Sequence, residues 1–506
     1  MGSVACGKPP PAPSTGNLRS LLRPPSDIGT YAGFDSARSV LYVGNSTIER
    51  RFRCDEGGST PQTSHYIHKP SKRNYVSVTC EEFKLRIGET AFTANTHALK
   101  YKGYRVQRSV AEQKQLIVEL EYSEASGEPI CIIKLHYEVY PNLPLIRKWI
   151  TFENLTDSAF FVEDIIIESL SLRADSKVQP AVVENRPELS VDLQPFIIVC
   201  ATEDDGGIIV GNEAPGILKY YNFPSGDTGI EVGLRPTSAI NGFEIRVPPN
   251  AVMSTPKIWT MLFEGDYSTT SEALKHVVGK RLVSAKEAIS QAPAITWTKI
   301  PSDGKVPAGD SIVVDYDWNG DNLSALKRLA EQVHEEGKRF GVRLPISEID
   351  VRFLNRSAWR LSPIAGFGSL VAGDNTTQNS GVTDVNSSST TNGERTVYCV
   401  LSDYGNHLSH AVHALLEETE AHLLVFDGAL IGRPDDVLKG CGVLGHEHFS
   451  RKESIRLIYQ WVFDFADHLR QQFPNLKLGI TSTAYGVEAP DMAVYNHFDL
   501  FFPNPD

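Results

Sequence analysis

Between about Ser39 and Phe263 the sequence breaks into short apolar runs separated by turn residues, among them Ser39–Val43, Gln115–Tyr122, Ile130–Tyr140, Arg147–Phe152, Phe160–Ile167 and Phe196–Cys200. The runs are rich in Val, Ile, Tyr and Phe, and several alternate with polar residues. That period of two is the mark of a half-buried strand, and so many strands at this spacing predict a large antiparallel β-sandwich. Before it, residues 1–38 are rich in proline and offer no apolar face to pack, which predicts a disordered tail.

A helical stretch, Ser271–Arg281, then opens a different rhythm. Apolar strands alternate with amphipathic helices: the strands Ala294–Thr298, Ile312–Asp317, Gly341–Leu344, Leu423–Asp427, Leu478–Ser482 and Leu500–Phe502, and the helices Asn322–Phe340, Leu408–Glu420 and Glu453–Phe473. Leu323, Leu326, Leu329 and Val333 fall at helical spacing. Near-continuous apolar strands joined by helices predict a buried parallel sheet. The polar run Gly373–Glu394 reads as a surface insertion. The fold class is therefore β plus α/β: a tail (1–38), a β-sandwich domain (39–270), a helical linker (271–293) and a (β/α) barrel (294–506). Only six barrel strands precede Asp506, whereas a closed barrel of this kind has about eight, so the barrel is expected to lack its last strands.

Composition narrows the function. A net charge of −13 with no cluster of Lys and Arg argues against nucleic acid as a partner. No run approaches the ~20 apolar residues of a membrane span. The start, MGSVACGKPPPAP, lacks the apolar core of a signal peptide and points to the cytoplasm. Seven scattered cysteines, without a CxxC pair, predict neither a disulfide framework nor a zinc site. His446 and His448 find no third ligand at a suitable spacing, and His407 with His410 is explained by a partly exposed helix. N-x-[ST] sequons at Asn45, Asn154 and four later positions are common enough by chance to carry little weight.

In a parallel barrel the active site lies at the C-terminal ends of the strands. There the sequence places Asp315-Tyr316-Asp317-Trp318, Asp427-Gly428 and Asn504-Pro505-Asp506. Carboxylates from three strand ends, with an indole beside them, suit a sugar: the ring covers an apolar sugar face and the acids accept hydroxyl hydrogen bonds. Two carboxylates across such a mouth can cleave a glycosidic bond. A strand-end Asp is also a common turn former or helix cap; Asp427, isolated after an apolar run and followed by Gly, fits that role least.

The pattern resembles the melibiase-type α-galactosidases, glycoside hydrolase family 36. The similarity runs from about Ser46 to Asp506 and rests on Glu81-Glu82-Phe83, Tyr137–Phe152 with Glu153-Asn154, and Gly211–Gly216. In the barrel it rests on Asp315 and Trp318, on Cys399–His407 leading to Asp427-Gly428, and on Ala489–Asp499 leading to Asp506. Val425-Phe426-Asp427 stands where the family has Lys-Trp-Asp, and Tyr316 replaces the second acid of a D-D-G-W turn. The resemblance implies a retaining exo-glycosidase acting on terminal α-galactosides. Asp427 would be the nucleophile and Asp506 the acid/base, with Asp315, Asp317 and Trp318 positioning the sugar and no metal or cofactor required. The expected partner is an oligosaccharide or glycoside, and a homo-oligomer is compatible with this reading. The lost lysine and missing strands leave open an inactive or truncated relative that only binds carbohydrate, and a galactosyl transglycosylase is a third alternative.

Overall fold

The computed structural model describes residues 29–54, 60–77, 80–108, 113–124, 126–141, 143–173, 176–177, 196–201, 206–224, 229–238, 242–265, 295–302, 304–316, 320–346, 348–349, 396–397, 399–428, 441, 446–486 and 491–503. The chain divides into two compact units, Met1–Ala285 with Ala489–Asn496, and Lys286–Glu488 with His497–Asp506. The helical linker and the Gly373–Glu394 insertion lie outside the described residues. Among the described residues no helix is long and apolar enough to cross a membrane.

The first unit is built from antiparallel sheets in a sandwich-like arrangement. A five-stranded meander starts at Tyr31–Asp35, which pairs with Val40–Gly44. The expected tail 1–38 is corrected here, because Tyr31 is buried and its hydroxyl donates to Glu49 at 2.5 Å. A nine-stranded sheet is centred on Leu145–Asn154 and Pro129–Val139, and a six-stranded sheet on Phe160–Ser171.

One buried ion cluster joins all three sheets. Arg50, from the meander, donates to Glu168 at 2.7 Å and to Glu82 at 2.9 Å, both on the six-stranded sheet. Lys148, from the nine-stranded sheet, reaches the same two carboxylates at 3.1 Å. Tyr137 donates its hydroxyl to Glu82 at 2.8 Å and the Thr63 amide donates to it at 2.6 Å. The Arg50 guanidinium lies 5.2–5.4 Å from the ring centres of Phe52, Tyr66 and Tyr137. Two cations against two carboxylates leave no net charge in the interior, which is the condition for burying any of them. Burial pushes the Glu82 carboxyl up, but Arg50 and Lys148 outweigh it and hold the pKa at about 2.

The other first-unit blocks behind the resemblance also take part in buried polar joints. Arg147 forks onto Glu213 through Nε (2.7 Å) and Nη2. Asn45 donates to the carbonyls of Tyr140 (2.7 Å) and Leu143 (2.6 Å), and Asn154 donates to those of Ser158, Val247 and Pro248. Both sequon amides are thus committed to the interior. Gly211 pairs with Trp259 across two strands, and a Cβ there would lie 2.0 Å from the indole. The segment Ala489–Asn496 belongs with this unit, so the domain expected to run unbroken from 294 to 506 is interrupted. Asp491 pairs with buried Lys219 and accepts from the Gly216 amide at 3.1 Å, and Met492 takes a hydrogen bond from Trp259.

The second unit is a six-stranded parallel sheet whose spatial order follows the chain. Its strands are Ile295–Lys299, Ser311–Asp315, Arg339–Pro345, Leu423–Asp427, Lys477–Thr481 and Leu500–Phe502, close to the sequence reading. Helices Gly320–Glu335, Asp403–Thr419 and Arg451–Gln472 follow the second, third and fourth strands. The first helix ends earlier than its apolar pattern suggested, because Gly337 at φ +70° turns the chain into the third strand. Among the described residues no pairing joins the first strand to the sixth, so the expected barrel is seen here as an open parallel sheet.

Two outcomes are expected for the first unit. Glu82→Gln leaves Arg50 and Lys148 undercompensated and should destabilise it by about 3–5 kcal/mol, read as a lowered denaturant midpoint. Because the folded Glu82 pKa lies below the unfolded value, its contribution is full above ~pH 5 and fades as pH falls toward 2. The variant should therefore lose part of the wild-type acid dependence. Gly211→Ala should cost at least about 1–3 kcal/mol through collision with Trp259, measured the same way.

Candidate active site

Alternation along the parallel strands determines what one face of the sheet presents. Val313, Leu423 and Val425 form a buried cluster with Ile295, Trp297, Leu500 and Phe502 packed against it. Glycines on the intervening strands make room: a Cβ at Gly341 would meet Leu423 at 3.0 Å and Val313 at 3.1 Å, and one at Gly479 would meet Phe502 at 2.7 Å. Two residues further along each strand, the same face turns polar. Val313 leads to Asp315, Gly341 to Arg343, Val425 to Asp427 and Gly479 to Thr481. The second and fourth strands share one pattern, four buried residues ending in a half-buried aspartate.

These four side chains meet. Arg343 holds Asp315 with two hydrogen bonds, Nε to Oδ1 at 2.7 Å and Nη2 to Oδ2 at 3.1 Å. The same Nε lies 3.6 Å from Asp427 Oδ2. The Thr481 hydroxyl donates to the other Asp427 oxygen at 2.6 Å. Parallel register makes this possible, since Asp315 lies opposite Arg343 and Pro345 opposite Asp427. The Trp297 ring centre is 5.2 Å from the Arg343 guanidinium carbon, and Phe502 meets that indole edge-on with centroids 5.1 Å apart. The result is an apolar floor, an aromatic side and a rim of two acids sharing one cation.

Of the residues expected from sequence, Asp315 and Asp427 are brought together. Asp317, Trp318 and Asp506 lie outside the described residues. Arg343, Thr481 and Trp297 were missed, although each keeps the two-residue phase of its strand. Val425, standing where a lysine was expected, is buried in the floor and lies opposite Arg343 across the strand pair. The cation therefore enters from the neighbouring strand. Tyr316 is buried and its amide donates to the Arg343 carbonyl at 2.9 Å.

The structure also corrects the reading of His446 and His448 as lacking further ligands. Cys399, Cys441, His446 and His448 bring their ligand atoms within 4.8 Å of one another, a grouping that linear spacing concealed.

No protein-family model matches the sequence, and no curated protein matches it. Solved structures do match. An α-galactosidase of family 36, AgaB from Geobacillus stearothermophilus, superposes with a TM-score of 0.65 at 13% identity, over 93% of this chain and 75% of that one. The α-galactosidase from Lactobacillus brevis gives 0.62 at 12% identity, over 94% and 74%. An AgaA variant from Geobacillus stearothermophilus in complex with raffinose gives 0.64 at 13% identity, over 92% and 75%. The chain shares the fold of the family 36 α-galactosidases. The resemblance inferred from scattered motifs is thus matched over nearly the whole described architecture.

Arg343→Leu should remove the fork to Asp315 and the cation beside Asp427. With all three groups partly exposed, a loss of about 1 kcal/mol is expected in thermal or denaturant unfolding. Thr481→Val, which keeps the shape, removes both the bond to Asp427 and the cap on the buried Ala484 amide, and should cost about 1–2 kcal/mol in the same measurement.

Proposed function

We propose that this chain is a retaining glycoside hydrolase that removes terminal α-linked galactose, or a closely related sugar, from oligosaccharides. The observation that carries the reading is Asp427 at the end of the fourth strand, held from two sides by Thr481 and Arg343. Those contacts fix the direction of the carboxylate, which a nucleophile needs before a sugar arrives. The fold supports the same assignment, and neighbours in complex with raffinose and stachyose support an oligosaccharide substrate.

In this mechanism the Asp427 carboxylate attacks the anomeric carbon while Asp506 protonates the departing oxygen. Asp506 then takes a proton from water, which releases the sugar from Asp427. Asp315 and Arg343 offer an acceptor and a donor to sugar hydroxyls, and Trp297, Trp318 and Asp317 complete the sugar subsite. The open six-stranded parallel sheet around these residues is read as part of the (β/α) barrel of such enzymes.

A second reading, a carbohydrate-binding relative without turnover, is favoured by Val425 in place of a sugar-binding lysine. One assay separates the two. With an aryl α-galactoside, the wild type should turn over and Asp427→Ala should lose activity by roughly 10³-fold or more. Equal rates in both would reject Asp427 as nucleophile. Binding of galactosides without turnover in the wild type would favour the second reading.

A further inference from the structure

Four side chains that the glycosidase chemistry leaves unused converge between two helix N-termini of the second unit. Cys399 sits in the turn before helix Asp403–Thr419; Cys441, His446 and His448 lie ahead of helix Arg451–Gln472. Both cysteines are buried and both histidines half-buried. Cys441 Sγ approaches His446 Nδ1 at 3.2 Å. Both ring nitrogens of His448 are buried without a hydrogen-bond partner. An imidazole always carries at least one N–H, and its other nitrogen offers a lone pair or a second N–H. Burying either nitrogen unsatisfied is costly, so an unpartnered ring beside two thiols points to a ligand that the ring would bind.

The backbone around the group is braced. The Cys399 carbonyl accepts from the Ser402 hydroxyl at 2.7 Å, and the Leu401 carbonyl accepts from the Glu447 amide at 2.8 Å. The Cys441 amide donates to Ser454 Oγ at 2.8 Å, and the Phe449 amide donates to Glu453 at 2.6 Å. Ser402 and Ser450 cap the two helices. Each ligand-bearing segment is therefore fixed to a helix end or to the other segment.

We propose that Cys399, Cys441, His446 and His448 form a site for one structural zinc ion that fastens these two segments together. Tetrahedral zinc with bonds of ~2.3 Å to sulfur and ~2.0 Å to nitrogen places its ligand atoms roughly 3.3–3.8 Å apart. The observed spread, within 4.8 Å, needs only a small inward movement. Two soft sulfurs and two imidazoles, with no carboxylate among them, select zinc over magnesium or calcium. Four protein ligands fill the tetrahedron and leave no open position for catalysis. On binding, each thiol releases one proton to solvent and each neutral imidazole gives a lone pair. The ion and two thiolates then sum to zero charge, and nothing is oxidised or reduced.

The test uses the full chain and zinc or cobalt ions alone. Wild-type protein incubated with zinc and dialysed should retain about one ion per chain by elemental analysis, falling to background in Cys441→Ser. Cobalt should give thiolate charge-transfer absorption in the wild type that is lost in the same variant. His448→Asn, a milder change, should weaken retention without unfolding the protein, checked by circular dichroism. On the wild type itself, zinc should protect Cys399 and Cys441 from alkylation. Wild-type protein that retains no zinc, equal retention in Cys441→Ser, or a Cys399–Cys441 disulfide in the non-reduced peptide map would each overturn the proposal. None of these readouts depends on glycosidase activity.

Discussion

A cation shared between two carboxylates is the interaction on which the first unit depends. Arg50 is fully buried and could not remain so alone, since an unpaired interior charge costs several kcal/mol. Glu82 and Glu168 compensate it, and Lys148 balances the second negative charge. Each of the three sheets contributes to this group, so their packing and its neutrality are one condition. A sheet displaced from the cluster would strand a charge in the core.

The second unit uses the same device at lower cost, near its surface. Arg343 stands between Asp315 and Asp427, partly open to water, which makes the contact exchangeable. A hydroxyl-rich ligand can replace part of such a pairing without leaving a buried charge. The difference in exposure separates a polar group that specifies architecture from one suited to recognition. The glycines on alternate strands matter equally. Gly341 and Gly479 let the branched and aromatic side chains of their neighbours fill the floor, which lifts the polar layer to the strand ends.

The first-unit blocks that made the sequence resemble a family prove to be structural. Glu82, Tyr137, Lys148, Arg147, Glu213, Asn154 and Asn212 are buried or nearly so, and all are hydrogen-bonded across strands. Buried polar networks tolerate substitution poorly, because removing one member leaves others unsatisfied. That accounts for readable motifs in a chain that is only 12–13% identical to the α-galactosidases it superposes on.

Local pattern was sufficient for the elements. The period of two, the helical spacing and the turn residues located all six parallel strands to within a few residues and put Asp315 and Asp427 at strand ends, because periodicity encodes which face a residue occupies. It missed strand Tyr31–Asp35, where a short run after a proline-rich stretch has little periodicity, and stated an unbroken second domain that Ala489–Asn496 interrupts. Tertiary structure alone decided the partners. Arg343 and Thr481 join Asp427 from other strands, Trp297 supplies an aromatic side, and Cys399 meets Cys441, His446 and His448 from far along the chain. Such meetings follow from strand register and the paths of intervening segments, quantities that no local window of residues contains.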